Sequence, residues 1–332
     1  MYRRRALAPL FVFDDGLAAT AATVAEYDSR FRRWDRRASV RAKPRRSLDA
    51  PGRDQLYFPP ELVPAAAHPL VAARGPTAGH ALLVHRLHQY LGFTIELEDL
   101  AVIPVAASIS RGRSGLELPE AMRADAFKIV TDEAWHAQFS YDLQRQVAQE
   151  TGVAPRTPEV AEFVDRLDAV RHRLPPAVRG VESLLFAVVS ETLISTILAD
   201  LPHDQRLPGA VRSVVADHAE DEGRHHVYFR TLLGHLWPAL TAEQRRLVGP
   251  HLPEMIFAFL EPDRRALAFA LRDLGLSTAA IEQVIAESLP RADVNRGVAL
   301  GAATTVRYLR ETGVLDDPAT FDRFAESGLL LS

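Results

Sequence analysis

The sequence predicts an all-helical bundle, and three features predict it. Apolar positions recur with helical spacing nearly throughout the 332 residues, in a composition dominated by Ala, Leu, Arg and Glu. Proline and glycine gather between the periodic stretches, as helix punctuation does. No run alternates apolar and polar residues between turn signals, as a half-buried strand would.

Taken in order, a first helix is expected near 16–38, followed by an extended segment to about 74. RFRRWDRRASVRAKPRR (30–46) is the densest charge in the chain. It reads as a solvated helix end running into a linker, with an anion-binding arm as the alternative. FPPELVP (58–64) and RGPTAG (74–79) mark a break, after which long helices are expected at about 77–110 and 119–150. TGVAPRTP (151–158) and RLPPAVRG (173–180) frame a shorter helix at about 158–172. A long apolar helix follows at about 178–200. Beyond DQRLPGA (204–210) another runs over about 208–236. The remainder, 241–326, reads as four or so shorter helices. One of them starts at Pro290, runs through ADVNRGVALGAATTVRYLRETG and is capped by Gly313. The organisation expected is a single domain over 1–332. Its core lies at about 77–236, with an N-terminal arm and linker at 1–76 and C-terminal helices at 241–332.

Composition narrows the function. Hydrophobic residues make up 47% and charged residues 25%, which suits a large packed core and argues against disorder. The net charge of −4 gives no global case for nucleic-acid binding. The absence of cysteine excludes disulfides, thiolate metal sites, iron–sulfur clusters and a thiol nucleophile. No signal peptide is visible at MYRRRALAPLFVFDD, and no apolar run reaches the roughly 18 residues of a membrane span. A cytoplasmic protein is the expectation.

The chemistry lies in two copies of Asp-Glu-x-x-His. DEAWH (132–136) falls on the second long helix and DEGRH (221–225) on the fourth. Glu133 and His136, like Glu222 and His225, are three apart and so share a helix face. One such pair arises often by chance; two on separate long helices are far more specific. Each preceding helix should add a carboxylate. Glu191 stands in LLFAVVSETLISTIL with no other charge within eight residues on either side. A buried, unpaired carboxylate costs several kcal/mol or takes up a proton, and a nearby cation removes that cost. On the first long helix, Glu96 and Glu98 are both candidates. One Glu from each of two helices and one Glu-x-x-His from each of two others is the pattern of ferritin-like dinuclear bundles. Its mixed carboxylate and imidazole donors suit two iron ions, or manganese. His218 lies on the stripe of Glu222 and His225 and is a seventh candidate. Asp132 and Asp221, each four residues before a ligand histidine, are expected to accept hydrogen bonds from imidazoles across the bundle. His226 falls about 100° off the stripe and is not expected to bind metal.

These pieces resemble the non-haem di-iron p-aminobenzoate N-oxygenases, which turn arylamines into nitroarenes in antibiotic biosynthesis. The resemblance runs through ELVPAAAHPLV (61–71), ELEDLAVIPVA (96–106), KIVTDEAWHAQFS (128–140), SETLIS (190–195) and DHAEDEGRHHVYF (217–229). The glutamate six residues before a proline selects Glu98, and the additional histidine of the family falls on His218. The resemblance implies Glu133 and Glu222 as bridging ligands. Glu98, Glu191, His136 and His225 would be mainly terminal, with His218 on one iron. It implies O₂ as co-substrate and a small-molecule amine, an arylamine first, oxidised through hydroxylamine and nitroso to nitro. With no flavin or nicotinamide fingerprint, electrons would come from an external ferredoxin or reductase. A homodimer is compatible with this reading. Family members that oxidise p-aminobenzoate hold its carboxylate with a late arginine, for which Arg296 and Arg307 are candidates. Ile194 and Leu198, near Glu191, are candidate pocket residues.

Three other readings stay open on the same bundle. A C-hydroxylase, a desaturase or an N-oxygenase of an aliphatic amine could use this ligand set. A ribonucleotide reductase radical subunit would carry a tyrosine four residues after the first histidine, where this chain has Ser140, with Tyr141 next to it. A helical scaffold without catalysis would not bury Glu191.

Overall fold

The computed structural model describes residues 27–48, 55–156, 158, 160–198 and 201–330. Among them every regular element is helical. Two one-turn helices, α1 (Trp34–Arg37) and α2 (Ser39–Ala42), precede α3 (Pro69–Ala72) and the long α4 (Pro76–Leu97). Then come α5 (Ile103–Ser110), α6 (Glu120–Thr151), α7 (Glu162–Arg173), α8 (Val181–Leu198) and α9 (Gly209–Ala239). The C-terminal part contributes α10 (Ala242–Val248), α11 (Leu252–Leu260), α12 (Arg264–Asp273), α13 (Thr278–Ser288), α14 (Arg291–Glu311) and α15 (Pro318–Glu326).

The bundle is made of two hairpins. Helices α4 and α5 pack on α6, α8 packs on α9, and α6 meets α9 to join the pairs. The four long helices fall within a few residues of expectation. The reason α8 takes the middle is its composition: VESLLFAVVSETLISTIL is apolar on all sides, and such a helix must be enclosed. Every side chain from Val181 to Ile194 is buried, under α9, α11 and α14.

The first long helix is not continuous. Residues Glu98–Val102 form a π-helical turn between α4 and α5, closed by the Ile103 N–H donating to the Glu98 carbonyl. Pro104 explains it. Proline has no N–H to give and its ring collides with the carbonyl four residues back in a regular α-helix. A wider turn removes the collision, and Glu98 is its first residue. Where four or so C-terminal helices were expected, there are six. Asp263, Ser277 and Asp317 cap three of these with side-chain oxygens, and Thr241 and Gln244 form a reciprocal capping box on α10. Gly313 follows α14 at φ +79°, where a Cβ would also meet Asp316 at 2.9 Å.

The N-terminal arm differs most from expectation. Residues 16–26 of the first predicted helix lie outside the described ones. The remainder is two single turns separated by Ala38 in an extended conformation; most of its arginines are exposed, as a solvated run would have them, while Phe31, Ala38 and Ser39 are buried. It straps across α6 and α9. Arg46 forks onto Asp217 at 2.7 and 3.0 Å, Lys43 pairs with Glu220 at 3.1 Å, and the Leu48 N–H donates to Gln146 at 2.7 Å.

His88 gives this packing a pH signature. It is buried on α4, and its Nε2–H donates to the Val153 carbonyl at 2.9 Å. Burial pushes its pKa down to about 4. The folded pKa lies below the unfolded value, so the stability is intact above about pH 6.5 and declines as pH falls towards about 4. Over that window His88→Gln should lose less stability than the parent, by about 3 kcal/mol, in urea titrations at successive pH values.

Candidate metal centre

The seven expected donors converge in the middle of the bundle. Glu98, Glu133, His136, Glu191 and His225 have no exposed surface, Glu222 has 1% and His218 2%. Glu133, His136, Glu222 and His225 bring one donor atom each within 4.8 Å of one another. So do Glu98, His136 and His218, and so do Glu98, Glu133 and Glu191. Glu133 and Glu222 lie between the two histidines of the paired motifs. His136 Nδ1 is 2.7 Å from Glu133 and 3.2 Å from Glu222, while His225 Nδ1 is 2.8 Å and 3.2 Å from the same residues. His218 Nε2 sits 3.3 Å from Glu222 and 3.8 Å from Glu98. Glu191 reaches His225 at 3.8 Å. Glu96 is only half-buried, and Glu98 is the carboxylate that turns inward.

The donor set fits metal ions. Among the described residues, both oxygens of Glu98, Glu191 and Glu222 are buried without a hydrogen-bond partner, as are His218 Nε2 and His225 Nδ1. Groups of this kind cost several kcal/mol unless something satisfies them. Their electrostatics say the same. Burial, then the charges of Glu133 and Glu222, push Glu98 well above the usual carboxylate range. Burial with Glu222, Glu133 and Glu98 does the same to Glu191. Burial opposes ionisation of Glu222 too, but His225, His136 and His218 overcome it and hold Glu222 well below that range. Burial also opposes charge on His136 and His225, and the facing carboxylates, Glu133 first, raise both well above the ordinary histidine value. Divalent cations would meet the same demand for positive charge that raises the proton affinity of Glu98, Glu191, His136 and His225.

The orienting carboxylates cross the bundle. His136 Nε2–H donates to Asp221 at 3.1 Å, and His225 Nε2–H donates to Asp132 at 3.2 Å. Each motif therefore steadies the histidine of the other, leaving both Nδ1 atoms facing inward. The strap completes these pairs. Trp34 Nε1–H donates to Asp132 at 2.8 and 3.0 Å, and the Ser39 N–H donates to both oxygens of Asp221 at 3.2 Å. Arg224 also bonds Asp221. Burial works against the Asp221 charge, but His136, Ser39 and Arg224 hold its pKa at about 2. Phe31 stacks on the His225 ring at 5.9 Å.

With this geometry, comparison decides the family. The family model for P-aminobenzoate N-oxygenase AurF matches residues 32–313. The chain belongs to the p-aminobenzoate N-oxygenase AurF family. The 4-aminobenzoate N-oxygenase of Streptomyces thioluteus is 27% identical over 299 residues, covering 88% of this chain and 87% of that protein. The family match opens inside the strap, so Trp34 and Ser39 fall within the span shared with AurF-type enzymes.

Other expectations land elsewhere. Arg296 and Arg307 sit on the outer side of α14, with side chains 71% and 62% exposed, near Asp293 and Glu311. Neither side chain enters the buried centre. Ile194 is buried one turn after Glu191, while the Leu198 side chain lies outside the described ones. His226, as expected, turns away, to the Tyr308 hydroxyl at 3.0 Å. Tyr141 is 53% exposed and Ser140 is buried, so the radical-subunit position holds no buried tyrosine. Besides the strap residues Trp34 and Ser39, two groups were missed. Phe139 packs on His136 and His218, and lines a surface cavity of about 220 Å³ with Trp135 and Lys43. The Tyr90 hydroxyl is buried without a partner among the described residues; burial first, then Glu222, pushes its pKa up. A tyrosine two turns before Glu98 was the available signal. Among the described residues no helix is long and apolar enough to cross a membrane.

Proposed function

We propose that this chain binds two iron ions and uses O₂ to oxidise an arylamine at nitrogen, through hydroxylamine and nitroso to nitro, with electrons from an external donor. The observation that carries the reading is the buried set of seven converging donors, His218 among them, in a chain of the AurF family. The 4-aminobenzoate oxidised by the named relative is the first substrate to try.

Glu98, Glu133, His136, Glu191, His218, Glu222 and His225 would hold the ions. A bound iron pair would supply the electrons that reduce O₂ and the oxidising power delivered to nitrogen. The chain's own contribution is positional. Asp132 and Asp221 fix the imidazole rings, and the apolar enclosure of α8 keeps water from the reacting atoms. Ile194, one turn from Glu191, would border the amine. The unpartnered Tyr90 hydroxyl would offer a hydrogen bond near Glu98 and Glu222. Arg296 and Arg307 take no part in this reading, because both are exposed.

His218 separates this reading from a generic dinuclear bundle, since the other six donors would suffice for the generic pattern. His218→Ala should retain iron but lose amine oxidation by about tenfold or more, with hydroxylamine and nitroso products gaining over nitro. Mass spectrometry of products from iron-loaded protein, reductant and 4-aminobenzoate or related arylamines provides the check. Absence of any N-oxygenated product across such a panel would sink the reading, and an unchanged product profile in the variant would remove His218 from it.

A further inference from the structure

The strap carries a continuous line from the protein surface to the centre. We propose that this line is the electron entry port, and that the arginine-rich face around it docks an acidic iron–sulfur electron-donor protein. The inference deepens the redox reading above and rests on it.

Trp34 Nε1–H is bonded to Asp132, and Asp132 accepts the Nε2–H of His225, whose Nδ1 faces Glu133 and Glu222. Two hydrogen bonds thus join two conjugated rings. Orientation of a carboxylate does not require this arrangement: on the other side, a backbone N–H from Ser39 serves Asp221. Trp34 brings an aromatic ring, hydrogen-bonded towards the centre, to a half-buried position at the surface; Phe139, the half-buried ring against His136 and His218, reaches them by packing without a hydrogen bond. Electron transfer weakens steeply with distance, so a hydrogen-bonded aromatic path from the surface is a favourable way in.

The surface around that ring has the charge of a docking site. Residues 30–46 carry nine basic side chains and one acidic one; Arg32, Arg37, Lys43, Arg45 and Arg46 pair with carboxylates, which leaves Arg30, Arg33, Arg36 and Arg41 without an ion pair among the described residues. Arg33, Arg36 and Arg41 are exposed, and the Arg41 guanidinium lies 5.7 Å from the centre of the Trp34 ring. Beside it is a recess of about 470 Å³ lined by Arg30, Arg32, Arg33, Arg37 and Arg224 against two acids. Concentrated positive charge steers an acidic partner and sets its orientation. With an iron pair bound, each encounter would oxidise the donor's iron–sulfur cluster by one electron, carried by way of Trp34, Asp132 and His225. Two encounters would supply the two electrons that an oxidised pair needs, with no bond made or broken.

The test uses the iron-loaded, oxidised protein and an acidic plant-type [2Fe–2S] ferredoxin, with dithionite as the small-molecule control. Binding is measured by calorimetry at low and high salt, reduction by stopped-flow absorbance, and iron by assay. The double variant Arg33→Glu, Arg36→Glu should bind the ferredoxin about tenfold or more weakly at low salt, with dithionite reduction retained. Trp34→Phe should keep iron and ferredoxin affinity while ferredoxin-driven reduction slows about tenfold or more and dithionite reduction is retained. The inference is overturned if the parent neither binds nor accepts electrons from the ferredoxin, or if either variant is reduced by it at the parental rate. It also falls if Trp34→Phe loses iron, because Trp34 is then a support for Asp132. Failure of dithionite to reduce the loaded parent would instead overturn the redox reading itself.

Discussion

Glu222→Ala will abolish metal binding and reduce amine oxidation by more than the roughly hundredfold that loss of an orienting partner costs. Glu222 is the common neighbour of all three histidines, at 3.2 Å from His136, 3.3 Å from His218 and 3.2 Å from His225. It is also the carboxylate those rings hold most firmly in its ionised form. Removing it leaves the buried imidazoles without a carboxylate that all three share. Breaking a buried ionic network by deleting one partner costs about 3–5 kcal/mol. The chelator-treated variant should therefore unfold at clearly lower urea than the chelator-treated parent, besides failing to take up iron. Iron assay, product formation and urea midpoints check the three parts.

Glu191→Leu should also lose the metal and the activity, yet change stability in the opposite direction. Glu191 sits in the all-apolar α8, fully buried, with both oxygens unpartnered and its nearest cation at 3.8 Å. Burial and three neighbouring carboxylates force it towards its neutral form, so it contributes cost rather than attraction in the absence of a metal. Leucine matches the volume, suits the helix and removes a buried unsatisfied group worth about 1–3 kcal/mol. With chelator present, Glu191→Leu should be more stable than the parent by about that amount. With iron present, the parent should gain stability and the variant should not. A pair of glutamates in one cluster, one whose loss destabilises and one whose loss stabilises the stripped protein, is what a site shaped for cations predicts. If both substitutions destabilise equally under chelator, Glu191 is held by interactions that this account lacks.

Much of this was legible in the sequence, because short-range spacing carries it. Glu133 with His136, and Glu222 with His225, share helix faces by arithmetic, and Glu191 betrays itself by standing alone in an apolar helix. The crossing of Asp221 to His136 and of Asp132 to His225 was legible for the same reason, since the two motifs are identical in pattern. The strap was not. Trp34 and Asp132 are 98 residues apart, and Ser39 and Asp221 are 182 apart. Both strap residues stand in a run whose arginines read as solvated, although Phe31, Ala38 and Ser39 in it are buried. The π turn was visible in principle, since Pro104 falls inside a stretch that otherwise reads as continuous helix. Substrate arginines were beyond reach, because nothing local distinguishes Arg296 and Arg307 from the exposed residues they are.

The central claim is that the seven buried donors form one site for two ions. Iron content after anaerobic loading with ferrous iron and removal of loosely bound metal tests it most directly. The account predicts about two iron ions per parent chain, and almost none in Glu222→Ala. A parent that retains about one ion or fewer would contradict it.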